Sequence, residues 1–268
     1  MKIGKYDFDT NNHTYVMGIL NVTPDSFSDG GQYHQIDQAL RHAEQMVAEG
    51  VDIIDIGGES TRPGYTKISD REEIARVVPV IEALKARFDV PLSLDTYKPE
   101  VAHAGLAAGI DLINDIWGLK YDVTMADVIA KYDAACCLMH NRENTEYQDF
   151  IQETLQDLAD TVDIALKHGI SRDKIILDPG VGFGKTYEHN LMVLNQLEAF
   201  EILGYPILLG VSKKSVIGLT LDVPAKERGA ATIATTALAV MKGCAFVRVH
   251  DVKDNVDAVK MMEAILHG

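Results

Sequence analysis

The chain has 268 residues, 47% hydrophobic and 24% charged, an ordinary globular composition with enough apolar material for a sizeable core. Its 25 Lys and Arg stand against 40 Asp and Glu, a net charge of −15, which argues against nucleic-acid and anionic-membrane partners because both need a basic footprint. Anionic small substrates remain open wherever cations are concentrated locally. The first residues, MKIGKYDFDTNN, contain no apolar h-region, and no apolar stretch reaches membrane-spanning length, so a cytoplasmic protein is expected.

The first predicted strand is the apolar run Tyr15–Leu20, which is too short for a buried helix of normal length. It stops at Asn21, and a long polar loop follows, with Thr23, Pro24, Asp25, Ser26, Ser28, Asp29, Gly30 and Gly31. A strand ending in an amide before such a loop reads either as a surface turn or as a ligand seat with a mobile cover. Seven similar runs follow: Asp52–Gly57, Pro91–Asp95, Asp111–Ile116, Ala134–His140, Lys174–Asp178, Pro206–Ser212 and Ala245–His250. Between most of them apolar residues recur at helical spacing. Ile36, Leu40, Ala43, Met46 and Val47 form one such face, closed by Gly50; Ile74, Val77, Val78, Ile81 and Leu84 form another. Ile151, Leu155, Leu158, Val162 and Leu166 form a third, stopped at Gly169. Leu191, Leu194 and Leu197, the Ala-rich Gly229–Met241, and Val256, Val259, Met262 and Leu266 complete the series.

Strands alternating with helices imply parallel pairing and right-handed crossovers. Eight of them in a chain this long predict an α/β fold of the (β/α)8 TIM-barrel type, with a doubly wound open sheet as the alternative. No Pro/Gly/Ser linker divides the chain, so residues 1–268 read as a single domain. Cys136 and Cys137 are adjacent on one predicted strand and must point to opposite faces, which suits core packing better than redox or metal chemistry.

The carboxyl ends of the runs carry Asn21; the stretch GGESTRPG from Gly57 to Gly64; Asp95; Asn114 and Asp115; His140; Asp178; Ser212 with Lys213 and Lys214; and Arg248 with His250. Any one of these is an ordinary helix cap or turn residue. Every run delivering polar groups to the same end points instead to one convergent site, at the end where barrel enzymes keep theirs. Three motif matches fail. GVGFGKT lacks the Gly that a phosphate loop needs at position 179, where Pro179 stands. Gly210-Val211-Ser212 has Lys214 where a nucleophile elbow has Gly. No Cys/His spacing fits zinc.

MGILNVTPDSFSDGG (Met17–Gly31) and DIGGESTRPG (Asp55–Gly64) resemble the two signature stretches of the dihydropteroate synthase family of pterin-binding barrels. LDT (Leu94–Thr96), INDI (Ile113–Ile116), LMH (Leu138–His140), LDPGVGFGKT (Leu177–Thr186), GVSKKS (Gly210–Ser215) and FVRVHDV (Phe246–Val252) are similar too, in the expected order along the chain. One departure is Lys213, where the family often carries Arg; the family uses the second basic residue, Lys214. The resemblance implies a transferase that condenses 6-hydroxymethyl-7,8-dihydropterin diphosphate with p-aminobenzoate, giving 7,8-dihydropteroate and diphosphate.

By the same resemblance Asp178 accepts the guanidine-like edge of the pterin, Asn114 offers both a donor and an acceptor, and Lys214 reaches the ring's acceptors. Met139 and Phe183 line the slot. Arg62, Arg248 and His250 bind the diphosphate, and Asn21 holds Mg²⁺ through its carbonyl oxygen. Asp95 stabilises positive charge on the pterin, so Asp95, Lys214, Arg62 and Arg248 carry catalysis electrostatically. Phe27, Thr61 and Pro63 surround p-aminobenzoate, whose carboxylate meets Ser215 at a helix start. Those loops imply that the p-aminobenzoate site is incomplete until the pterin diphosphate binds, and that a sulfonamide competes there. A homodimer is implied as well. Three alternatives stay open: a pterin-binding methyltransferase, a non-catalytic paralogue, and an Arg248 that serves only as a barrel-rim salt bridge.

Overall fold

The computed structural model describes residues 1–22, 32–59 and 67–268; Phe27, Thr61, Arg62 and Pro63 lie outside the described residues. Eight parallel strands form the sheet: β1 Tyr15–Asn21, β2 Ile53–Gly57, β3 Leu92–Asp95, β4 Leu112–Asp115, β5 Ala135–Met139, β6 Ile175–Asp178, β7 Leu208–Leu209 and β8 Phe246–Val249. They pair in the order β6-β5-β4-β3-β2-β1-β8-β7. A parallel bridge from Leu177 to Ile207 joins the two ends, so the sheet curls into a nearly closed barrel and the open-sheet alternative fails. The seventh run contributes two ladder residues, and before them Pro206, which has no N–H to donate, accepts the Leu177 N–H at 3.0 Å.

Nine α-helices are described: α1 Gln32–Glu49, α2 Asp70–Arg87, α3 Pro99–Ala107, α4 Thr124–Lys131, α5 Phe150–Lys167, α6 Tyr187–Asn195, α7 Ser215–Leu221, α8 Gly229–Met241 and α9 Val252–His267. Their ends follow local chemistry. Ser69 caps α2 by accepting the Glu72 N–H, with acidic residues in the first turn and basic ones in the last. Thr186 and His189 form a reciprocal capping box on α6. The helix α3, 9 residues long, buries mostly small side chains and shows no clear apolar face in the sequence, whereas α4, 8 residues long, turns Met125, Ala126 and Ile129 to the core. None of the described helices is long and apolar enough to cross a membrane.

The period of two along each strand divides the core and places the site. Leu20, Ile54, Ile56, Leu94, Ile113, Cys136, Leu138, Leu177 and Val247 face outward and pack under the helices. Met17, Ile53, Leu112, Ala135, Cys137, Ile176, Leu208 and Phe246 fill the barrel's amino end together with Ile3 and Phe8. Ile3 belongs to a short hairpin, Lys2–Ile3 with Tyr6–Asp7, that covers this end. The two adjacent cysteines thus divide between the layers as expected. Stepping two residues along each inward row toward the carboxyl end reaches Asp55, Asp95, Asn114, Met139, Asp178, Gly210 and Arg248. The apolar floor and the polar site are consecutive layers of one pattern.

Candidate active site

Arg248 enters the barrel from β8 and is held by two carboxylates. Its Nε donates to Asp55 Oδ2 and its Nη2 to Asp95 Oδ2, both at 2.6 Å. Asn114 Nδ2 donates to the same Asp55 oxygen at 3.2 Å. Asp55 is fully enclosed, and Asp95 and Asn114 are buried. Burial raises the Asp95 pKa to about 7, with the Asp55 charge adding to the rise and Arg248 opposing it. Burial alone would lower Arg248, but the charges of Asp55 and Asp95 win and hold its guanidinium firmly charged. Asp55 Oδ1, Asp95 Oδ1 and Ser93 Oγ are buried and make no hydrogen bond among the described residues. Buried acceptors of this kind ordinarily find a partner in water or ligand.

A second group gathers at β6 and the turn after β7. Asp178 Oδ1 accepts the Gly180 N–H at 2.7 Å, so the turn-cap reading is true of one of its two oxygens. Gly180 is obligatory there: its φ is +73°, and a Cβ would meet the His140 carbonyl oxygen at 2.0 Å. Lys214 Nζ donates to the Val181 carbonyl at 2.6 Å and lies 4.8 Å above the Phe183 ring. Asp178 Oδ2 and Lys214 Nζ each lie 3.7 Å, and Arg248 Cβ 3.9 Å, from where a Cβ on Gly210 would stand. Gly210 therefore leaves space at the point where these three residues converge. Burial lowers Lys214 to about 8 against the pull of Asp178, and burial raises Asp178 against the pull of Lys214.

Met139, Tyr97 and Ile116 pack together, with Trp117 and Phe183 against them, as one apolar wall. A flat wall beside a carboxylate, an amide and an ammonium suits a flat heterocycle with donors on one edge and acceptors on another. Across the mouth, Asn21 Oδ1 and Asp95 Oδ2 flank Gly57, at 3.4 and 3.9 Å from the position of a Cβ there. His250 follows Arg248 two residues on, with Nδ1 2.9 Å from Ser212 Oγ. Ser215 is the exposed first residue of α7.

Two strand-end residues do not join this group: the fourth run still brings Asn114, but the fifth brings only the apolar Met139, which corrects the expectation that every run delivers polar groups to it. Asp115 sits on the outward row and caps a turn, accepting from Trp117 N–H at 2.9 Å and Leu119 N–H at 2.7 Å. His140 faces Asp157 of α5, with Nε2 to Oδ2 at 3.0 Å, and its Nδ1 lies 2.7 Å from Lys185 Nζ. Burial lowers His140 to about 4 and Lys185 to about 7.

Other partners escaped sequence reasoning. Asp55 was legible as the one charge in an apolar strand, in phase with Gly57 and Ile53. Lys98 is 2% exposed and bridges Glu59 and Glu73 at 2.7 Å each, a cluster for which no local signal exists. No three His, Cys, Asp or Glu among the described residues are placed to hold a metal.

The sequence pattern of the pterin binding enzyme family matches residues 17–250. A dihydropteroate synthase of Clostridium beijerinckii is 56% identical over 267 residues, covering 99% of each chain. Among solved structures, a dihydropteroate synthase from Clostridium difficile crystallised with pteroic acid superposes with a TM-score of 0.95 at 50% identity, covering 98% of this chain and 100% of that one. A Xanthomonas albilineans dihydropteroate synthase with 4-aminobenzoic acid gives a TM-score of 0.91 at 41% identity, over 96% of this chain and 94% of that one.

Proposed function

This chain belongs to the pterin-binding enzyme family, alongside the dihydropteroate synthases, and from that premise we propose that it condenses 6-hydroxymethyl-7,8-dihydropterin diphosphate with p-aminobenzoate. The observation that carries the reading is the convergence of Asp178, Lys214 and Arg248 around Gly210, with Asn114 on the same inward layer and an apolar wall nearby. Asp178 Oδ2 accepts the donor edge of the pterin, Asn114 pairs with the ring, and Lys214 donates to its acceptors. The bond from the methylene carbon to the diphosphate oxygen breaks, a bond to the amine nitrogen forms, and the amine gives up a proton. An electron-rich ring shares the positive charge at that carbon, and Asp95 stands ready to stabilise it. Arg248, His250 and Arg62 attract the departing diphosphate, while Phe27, Thr61, Pro63 and Ser215 take p-aminobenzoate.

The donor set also fits Mg²⁺. Asn21 offers one hard oxygen beside Asp95, and an ion that keeps its waters and binds substrate phosphates needs no protein cage. Held by Asn21 Oδ1, such an ion would supply positive charge for the diphosphate. Incubating the protein with both substrates and Mg²⁺ tests the whole reading: dihydropteroate should form, and chelation should stop it. Pterin binding without turnover would indicate a non-catalytic paralogue.

The lowered pKa of Lys214 adds a pH signature. Its ammonium loses its proton as pH rises through about 8 in the free protein, so pterin affinity should fall across that range. Lys214→Met should bind more weakly and lack that descending limb, as a pterin titration from pH 6 to 10 would show. The same limb in both proteins would belong to the ligand and overturn the assignment.

A homodimer in the cytoplasm completes the proposal. Leu219 and Leu221 on α7 and Met241 on α8 expose 67, 51 and 61% of their surface, apolar side chains available for a second copy to cover. The three cysteines are buried and free, as in a reducing compartment. A sedimentation mass of one chain at enzyme-assay concentration would set the dimer aside.

A further inference from the structure

Arg228 spends its whole guanidinium on main-chain carbonyls. Nη1 donates to Lys213 O at 2.9 Å and Lys214 O at 3.1 Å, while Nε and Nη2 reach Val223 O at 3.2 and 3.1 Å. No ion pair to it is found among the described residues. The segment it grips is the turn from β7 into α7, which carries Lys214. That turn is under constraint already: Lys213 is left-handed at φ +57°, and Lys214 N–H closes on Val211 O at 3.0 Å. Thr232 of α8 braces the same turn, accepting the Lys213 N–H at 3.2 Å and donating to Arg228 O at 2.9 Å. Gly218 makes room for the grip, since a Cβ there would meet Arg228 Nη2 at 2.0 Å and Cζ at 2.3 Å.

We propose that Arg228 is a positioning residue for the pterin subsite: it fixes the Lys213 and Lys214 carbonyls so that the Lys214 ammonium is held over Phe183 and beside Asp178, and Gly218 is required to admit it. The inference rests on Lys214 acting in pterin binding as proposed above. A planar fork bonding several carbonyls at once holds the turn in one orientation, which a flexible lysine at the same position does not reproduce.

A double-mutant cycle tests this, with a plain pterin carrying no diphosphate as the probe and melting curves to confirm folding. Arg228→Gln and Gly218→Ala should each weaken pterin binding by on the order of tenfold, within the range for directly coupled residues. In a Lys214→Ala background neither substitution should weaken binding further, because the group they position is gone. Arg228→Lys should recover part of the loss at most. Should Arg228→Gln fail to fold, Gly218→Ala alone runs the same cycle. Affinity close to wild type in the folded single variants would overturn the inference, as would an equal loss with and without Lys214. If Lys214→Ala itself binds pterin like wild type, the proposed role of Lys214 fails first and takes this inference with it.

Discussion

Asp178→Asn should bind pterin more weakly by roughly 1.5 to 3.5 powers of ten while folding normally. Truncating one side of a buried, charged hydrogen-bonded pair costs about 2–5 kcal/mol, and about 1.4 kcal/mol corresponds to each tenfold in affinity. The geometry decides which way the new amide turns. Asp178 Oδ1 accepts the Gly180 N–H at 2.7 Å, and Asn can keep that bond only by leaving its carbonyl oxygen there. The NH₂ is then forced into the place of Oδ2, facing the pterin's donors with a donor of its own. The turn survives because Asn caps nearly as well as Asp. A residue that served only as a turn cap would therefore tolerate the change silently. Titrating a plain pterin into the wild type and a folded variant separates the two, and affinities within threefold of each other would remove Asp178 from the recognition edge.

How much of this was legible from residues alone depends on whether the signal is periodic. The strands were, because runs such as Asp52–Gly57 and Lys174–Asp178 are nearly continuous in Ile, Leu and Val, as strands buried on both faces must be. The same period separates inward from outward residues at the carboxyl ends, which is why Asn114 faces the candidate site and Asp115, read beside it in the sequence, does not. Asp55 obeys that period too, but it lies two residues before the strand end, inside an otherwise apolar strand. Helix α3 is too short and too small in side chain to show a stripe, while α4 carries one, Met125 with Ile129, that is only one turn long. Partners that meet across 14 to 45 residues carry no local trace: Lys98 with Glu59 and Glu73, Lys185 with His140, and Arg228 with the Lys213–Lys214 turn. Their identity as charged residues was visible, but what each would neutralise was set by the fold.

Arg248→Met should destabilise the protein strongly, which reading the arginine only as a diphosphate ligand does not anticipate. Arg248 is bonded to Asp55 and Asp95 at 2.6 Å, with its own side chain 19% exposed and theirs nearly enclosed. Removing one partner of a buried ion pair typically costs about 3–5 kcal/mol, because the charge left behind is neither solvated nor paired. At about 2–4 °C per kcal/mol for a chain in this size range, melting should fall by roughly 6–20 °C. The loss should also depend on pH. Asp95 already has its pKa raised to about 7 with Arg248 in place, and without the guanidinium the Asp55 charge raises it unopposed by that cation. A carboxyl whose folded pKa exceeds its unfolded value binds more protons when folded, so its contribution to stability is present at low pH and lost as pH rises. The variant should therefore lie closer to wild type at pH 5 than at pH 8. Adding Asp55→Asn should restore part of the stability by deleting one of the stranded charges. Pterin binding discriminates further: a ligand of the diphosphate alone leaves the affinity for plain pterin intact, whereas the bonds from Arg248 to Asp95 and from Asn114 to Asp55 carry the damage into the pterin subsite. Melting within about 2 °C of wild type at pH 8, which is under about 1 kcal/mol, together with unchanged plain-pterin affinity, would return Arg248 to the diphosphate role alone.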